Sequence, residues 1–202
     1  MRVLLISAHP SETSFLWALR DIVCDQLQKN NHELRIHDLW QENFDPIFSL
    51  FERKNHVSDP NLKFKEFPVL KEHVADLQWC EALVFVYPTW WSSQPAILKG
   101  WIDRVFMNEV AWKLEEGKAL LSPNLKNVRK MVVVTTHGSP KWTNILEGEG
   151  GKRIAFRSLR SMFHWRARCS WIAVYGLDGS SGKQRDRAKV RVRRRVNRAL
   201  PL

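Results

Sequence analysis

Cysteine is scarce in this chain, and the three thiols it has, Cys24, Cys80 and Cys169, lie far apart in 202 residues. They form no CxxC and no Cys/His spacing of a ligand set, which argues against a disulfide framework and a zinc site, so no metal is expected. Glycine is sparse too, and neither GxGxxG nor GxxxxGK[ST] occurs. That removes the Rossmann dinucleotide fingerprint and the P-loop. No apolar run approaches the roughly 20 residues that cross a bilayer, and a strand-like RVLLIS stands where a leader would carry its apolar stretch. A soluble, cytoplasmic protein with buried thiols is the expectation. Without repeats, low-complexity segments or linkers, residues 1–202 read as a single domain large enough to bury a core unaided.

Acidic residues are also in deficit: 21 Asp and Glu stand against 32 Lys and Arg, a formal charge of +11. The excess gathers after residue 150, above all in KQRDRAKVRVRRRVNRAL, where nine basic residues face Asp186 alone. Val190, Val192, Val196 and Leu200 supply apolar positions in that stretch, only some of them at helical spacing. It reads as a basic C-terminal helix or tail, about 183–202, docked on one side and solvated on the other. Nucleic acid is therefore an unlikely partner, while a basic surface suits an enzyme whose cofactors carry phosphates.

What the chain does have is a series of short apolar runs, Val3 to Ser7, Leu34 to Asp38, Leu83 to Tyr87, Met131 to Thr135 and Trp171 to Tyr175. Helix-compatible segments separate them: Ser14 to Lys29, Val69 to Trp79, Ala96 to Phe106 and Arg153 to His164. Nearly all-apolar strands alternating with helices predict a parallel sheet covered on both faces, an α/β three-layer sandwich. With right-handed crossovers, five strands fit the flavodoxin-like order 2-1-3-4-5, whose ligand crevice lies at the carboxyl ends of strands one and three. Two connections are long, Leu39 to Phe67 and Met107 to Arg129. The first is rich in aromatics, predicts a short helix near Phe48 to Lys54, and could cover a neighbouring subunit.

Three loops follow strands one, three and four, and this order sets them along one rim. The first, AHPSETSF, opens a helix with Ser11, Thr13 and Ser14, an arrangement that either caps the helix or binds an anion on its free N–H groups. The second, PTWWSSQP, offers backbone amides beside flat aromatic surface, as a planar, polar-rimmed ring requires. The third is TTHGSPKW. Phosphate would sit on the first loop, and a ring between the other two.

Strand, HPxxTSF-like loop, PTWWxxxPAILKGWIDRVF and VVVTTxG together resemble the flavodoxin-like NAD(P)H quinone oxidoreductases, a group that includes DT-diaphorase, modulator-of-drug-activity and potassium-efflux ancillary proteins. The resemblance covers residues 1 to about 140. It implies a homodimer holding FAD, or alternatively FMN, with His9, Thr13, Ser14 and Phe15 on the phosphate or adenine side. Pro88, Thr89, Trp90 and Trp91 would frame the isoalloxazine, and Thr135, Thr136, His137 and Gly138 would meet its polar rim. The third loop departs from the family: His137 stands where a double glycine is usual, and Trp142, Thr143 and Gly148 to Gly151 replace the tyrosine and histidine associated with quinone reduction.

The activity this implies is two-electron, ping-pong hydride transfer from NADH or NADPH to a quinone or similar flat electrophile, with His137 as a candidate catalytic donor. Two other readings belong beside it. One is a regulatory flavoprotein peripherally associated with a membrane transporter; the other is a flavodoxin-type electron carrier, which the strongly basic balance disfavours.

Overall fold

The computed structural model describes residues 1–115, 117 and 120–202. In chain order the elements are β1 (Arg2–Ser7), α1 (Phe15–Lys29), β2 (Glu33–Asp38), α2 (Leu50–Lys54), α3 (Pro60–Glu66), α4 (Val69–Trp79), β3 (Ala82–Pro88), α5 (Ala96–Val105), β4 (Trp112–Lys113), β5 (Ser122–Pro123), β6 (Lys130–Thr136), α6 (Lys141–Leu146), α7 (Gly150–Arg153), β7 (Arg168–Val174) and α8 (Gly182–Ala199). Five strands pair in parallel in the order β2-β1-β3-β6-β7. Counting only these, the order is 2-1-3-4-5, as expected from the sequence; β4 and β5 form a separate two-residue ladder.

Successive strand residues point to opposite faces, which splits the core in two. Val3, Leu5, Val84, Val132 and Val134 face α1 and α8, whose Leu19, Val23, Val192 and Val196 complete a layer with an aliphatic interior. Leu4, Ile6, Phe85, Tyr87 and Val133 face α4 and α5 with Leu77, Leu98 and Trp101. Burial on both faces is why these strands read as continuous apolar runs.

The basic C-terminal stretch is the helix α8, held at its start by a capping box between Ser181 and Gln184. Ala188, Val192, Val196 and Leu200, four residues apart, form its buried stripe. Val190 does not dock: at 69% exposure it sits about half a turn from that stripe.

The Leu39–Phe67 connection packs on its own chain. The Cβ that any other residue would bring at Gly100 on α5 would collide with the Pro46 backbone, so glycine lets the loop lie against the helix. Arg104 Nε donates to Glu52 Oε1 at 2.8 Å and Arg104 Nη1 to the Asp45 carbonyl at 2.7 Å, both Arg104 and Glu52 being buried. Ser49 and Glu52 close a capping box at the start of α2. The expected helix near Phe48 to Lys54 begins at Leu50, and α3 was not anticipated, because seven residues are too few to display a helical period.

The expected helix Arg153 to His164 is replaced by α7, a π-helical turn at Ile154–Leu159 and a 3-10 turn at Arg160–Met162. The last strand starts at Arg168 rather than Trp171, since register with β6 extends it through polar residues, and Tyr175 falls outside it. Among the described residues, no helix is long and apolar enough to cross a membrane.

Candidate functional site

The three loops do meet along the carboxyl edge of the sheet. After β1, Ala8 N–H still bonds the Val86 carbonyl at 3.1 Å, and then the chain leaves toward α1. His9 Nδ1 lies 3.0 Å from both the N–H and the carbonyl oxygen of Ser11, which ties the ring to the loop, and burial lowers the pKa of this imidazole. Ser14 caps α1, its hydroxyl accepting from Trp17 N–H at 3.3 Å, while Ser11 and Thr13 hydroxyls pair at 3.0 Å. The remaining first-turn N–H groups have no intrahelical acceptor by geometry and face the positive end of the dipole. Ser14 therefore serves as cap, and the donors left at this helix start are backbone N–H groups.

In the second loop Trp90 and Ser93 exchange two backbone hydrogen bonds of 3.1 Å, closing a turn whose central residues, Trp91 and Ser92, have φ of 47° and 59°. Left-handed backbone at two consecutive non-glycine residues is costly. It sets the Trp91 side chain wholly in solvent, with Trp90 half exposed and its ring 6.4 Å from that of His9. Pro88 is buried as the last residue of β3, paired in register with Thr136. Thr89 is tied to β6 by its N–H on the Thr136 carbonyl at 2.8 Å.

The third loop carries a chain of hydrogen bonds with a deducible direction. Asn144 Nδ2 donates to the Pro140 carbonyl and to Ser139 Oγ, both at 3.0 Å, so its Oδ1 is the atom 2.5 Å from His137 Nδ1. An acceptor there puts the proton on Nδ1. Burial keeps this histidine neutral by lowering its pKa, and the free lone pair on Nε2 takes the Thr89 hydroxyl at 3.3 Å. Thr89 Oγ1 in turn accepts from Thr135 Oγ1 at 2.9 Å. The His137 ring stacks on Tyr175 with centroids 4.5 Å apart. At Gly138 a Cβ would collide with the Asp178 carboxylate, which explains glycine after the histidine.

Between these loops lies a cleft of about 260 Å³ walled by Thr89, Trp91, Ser92, His137, Gly138 and Asn144. Its far side is the segment after α6: Ser92 Oγ donates to Glu147 Oε2 at 2.5 Å, and Gly151 N–H to the Ser92 carbonyl at 2.9 Å. Asn144, Glu147 and Tyr175 escaped the sequence reading. Tyr175 and Asn144 gave a weak signal, each lying within ten residues of an element's carboxyl end, but only tertiary contact brings them to His137.

The model of a family described as having a flavodoxin-like fold matches residues 1–200. The chain belongs to the flavodoxin-like fold family. This flavodoxin-like protein is 28% identical over 176 residues to NAD(P)H dehydrogenase [quinone] 1 of Cavia porcellus, an alignment covering 79% of this chain and 62% of that one. It is 33% identical over 135 residues to an uncharacterized NAD(P)H oxidoreductase of Haemophilus influenzae, covering 66% and 64%. The chain thus spans somewhat over six-tenths of the length of these curated relatives. Among solved structures, Smu.1420 from Streptococcus mutans UA159 superposes with a TM-score of 0.80 at 24% identity over 98% of this chain and 100% of that one. A quinone oxidoreductase acting on NAD(P)H from Methanothermobacter marburgensis gives 0.77 at 22%, covering 97% and 95%. Both structural likenesses support the fold. The relatives' names agree with the resemblance drawn from the sequence.

Proposed function

We propose that this protein is a flavin-dependent NAD(P)H oxidoreductase that reduces quinones or similar flat electrophiles by two-electron, ping-pong hydride transfer. The observation that carries the reading is the turn at Trp91 and Ser92. It maintains left-handed backbone and leaves a tryptophan bare beside a polar cleft, an expense a merely structural turn has no reason to keep. The donor set fits a flavin: backbone N–H groups at the start of α1 for phosphate, exposed indoles for a ring face, and hydroxyl and amide groups for a ring edge.

A bound flavin supplies the acceptance and release of an electron pair; the protein supplies placement. Thr89 is fixed as a donor to His137, so the remaining lone pair of its hydroxyl is available to an N–H on a ring in the cleft. His137, neutral and held at both nitrogens, acts through Thr89 and α6 as a positioning residue, a reading the geometry favours over proton donation. Trp90 and Trp91 exclude water from one side and stack against planar ligands. Thr13, Ser14 and Phe15 line the phosphate end.

FAD is preferred to FMN on one observation. Arg185 of α8 lies over the Phe15 ring at 6.0 Å, and beside it an open cleft of about 350 Å³ is lined by Gly176, Leu177, Ser180, Gln184, Arg185 and Arg191. That basic hollow adjoins the phosphate end, where the adenosine arm of FAD would continue. The homodimer is supported by apolar side chains left in solvent near the cleft, Trp142, Ile145 and Leu146 on α6, and by Ile47 and Leu50 on the long loop. Anaerobic stopped-flow mixing of flavin-loaded protein with NADH and NADPH, followed by a quinone, tests the activity. Bleaching and recovery of flavin absorbance in separate phases is expected, and a flavin that no nicotinamide reduces would reject it.

A further inference from the structure

The opposite, amino-terminal edge of the sheet holds a second open cleft, of about 540 Å³, lined by Arg129, Lys130, His164, Trp165, Arg166 and Arg168. Its charge is one-sided. Lys130 on β6 and Arg168 on β7 are register partners, so their side chains leave the same face of adjacent strands, which run about 4.8 Å apart. Like charges so placed repel each other. None of the four basic residues forms an ion pair among the described residues, and the carboxylate of Glu81, whose carbonyl receives the Arg129 N–H, is turned to Arg2. Burial lowers the pKa of His32, and the N-terminal ammonium and Lys130 add to that lowering.

The aromatic member of the cleft is rigidly offered. Arg160 clamps the loop that carries it, Nε to the Ala167 carbonyl at 3.2 Å and Nη2 to the Trp165 carbonyl at 3.0 Å. Arg166 N–H donates to His164 Nδ1 at 3.1 Å, and His164 N–H to the Val128 carbonyl at 3.2 Å. Held in this way, the Trp165 side chain remains 76% exposed, with the Arg166 guanidinium 5.2 Å from its ring centre. A largely exposed indole, backed by the near-parallel His164 ring 6.0 Å away and lying beside Arg129, Lys130 and Arg168, which form no ion pair among the described residues, offers in one concavity what a phosphorylated ligand with a flat base requires: guanidinium and ammonium groups for phosphate oxygens, the ring for stacking.

We propose that this cleft is a nucleoside-phosphate site, remote from the cleft at the carboxyl edge and independent of it. The phosphates lie between Lys130, Arg168 and Arg129, and the base stacks on Trp165. A single concave site of this size suits a mononucleotide rather than a long strand.

The test is calorimetric titration of the full chain with ATP and with tripolyphosphate, at low salt, with and without one equivalent of FAD, which fills the tighter site at the other edge and leaves no excess of its own adenosine diphosphate moiety for this one. ATP should bind with a dissociation constant of order 0.1 mM, unaffected by FAD, and at least tenfold more tightly than tripolyphosphate. The Trp165→Ala variant should erase that tenfold difference, and the K130Q/R168Q double variant should weaken both ligands more than tenfold. That double variant should also melt higher than wild type without ligand, because a repulsion has been removed, which separates loss of binding from loss of fold. No binding at millimolar ATP, equal binding of tripolyphosphate, competition by FAD, or undiminished binding by the double variant would each overturn the proposal. An oligonucleotide binding a hundredfold more tightly than ATP would overturn the mononucleotide assignment in favour of a single strand.

Discussion

The two edges of this sheet are closed by the same device and then diverge. At the amino edge a line of backbone bonds stitches the strand entries: Glu33 N–H to the Met1 carbonyl, Glu81 to Arg2, Arg129 to Glu81 and Arg168 to Arg129, at 2.8 to 3.0 Å. At the carboxyl edge Ala8, Thr89 and His137 do likewise to Val86, Thr136 and Val174. Where the amino edge needs left-handed backbone it uses Asn31, a residue that tolerates it. The carboxyl edge uses Asn43 and Gly176 in the same way after β2 and β7, but after β3 it adopts left-handed backbone at Trp91 and Ser92 and leaves an indole in solvent. Closing the sheet does not require that strain. It belongs to how the second loop presents Trp91, which is where the proposed flavin reading can be broken.

Four substitutions probe this contrast, the strongest first. Ser14→Asp keeps a good N-cap, since aspartate ranks with serine there, but sets a negative charge among the donors meant for phosphate. Flavin affinity should fall about thirty- to hundredfold, roughly 2 to 3 kcal/mol, with the melting temperature unchanged. Fluorescence titration and a thermal scan read both. A flavin affinity that does not move would take the phosphates away from α1.

His137→Asn removes the link between Thr89 and Asn144 and should cost about 1 to 2 kcal/mol of stability at pH 7.5, measured by urea unfolding. Its pH signature is specific. Because burial lowers the folded-state pKa, the neutral histidine contributes fully above about pH 6.5, and the contribution is lost as acidification passes toward the folded value. The wild type should lose stability more steeply than the variant below about pH 6.5. Parallel curves would make His137 a bystander.

Trp91→Gly should raise the unfolding free energy of the flavin-free protein by about 1 kcal/mol, since glycine adopts this backbone freely and the indole touches little. The same change should weaken ring binding about tenfold, as judged by flavin fluorescence, the opposing signs being the mark of strain held for function. The smallest effect belongs to the other edge. Asn31→Gly should stabilise by a few tenths of a kcal/mol and leave flavin affinity alone. A similar loss of affinity there would show that the two edges are not distinct.

Much of this was legible in sequence for physical reasons. Five strands buried on both faces write unbroken apolar runs, and three hydroxyl- or aromatic-rich loops following strands one, three and four betray the rim on which they lie. Other features leave no local trace. The Arg104–Glu52 pair joins residues 52 apart in sequence, and neither position looks buried in isolation. Which of the apolar positions in the basic stretch dock was open in sequence, and the four-residue series of Ala188, Val192, Val196 and Leu200 settles it, with Val190 on the solvent side. The π turn at Ile154–Leu159 broke an expected helix, and the direction of the Thr135, Thr89, His137, Asn144 chain depends on two loops and α6 meeting in space.

The central claim is that the carboxyl edge is preformed for a flavin. Equilibrium titration of the purified protein with FAD and with FMN, followed by flavin fluorescence and visible absorption, tests it most directly. One equivalent of FAD per chain should bind with a dissociation constant of order 1 µM or below, with quenching from the nearby indoles and with FAD held more tightly than FMN. A correctly folded sample that binds neither flavin at high micromolar concentration would contradict the account.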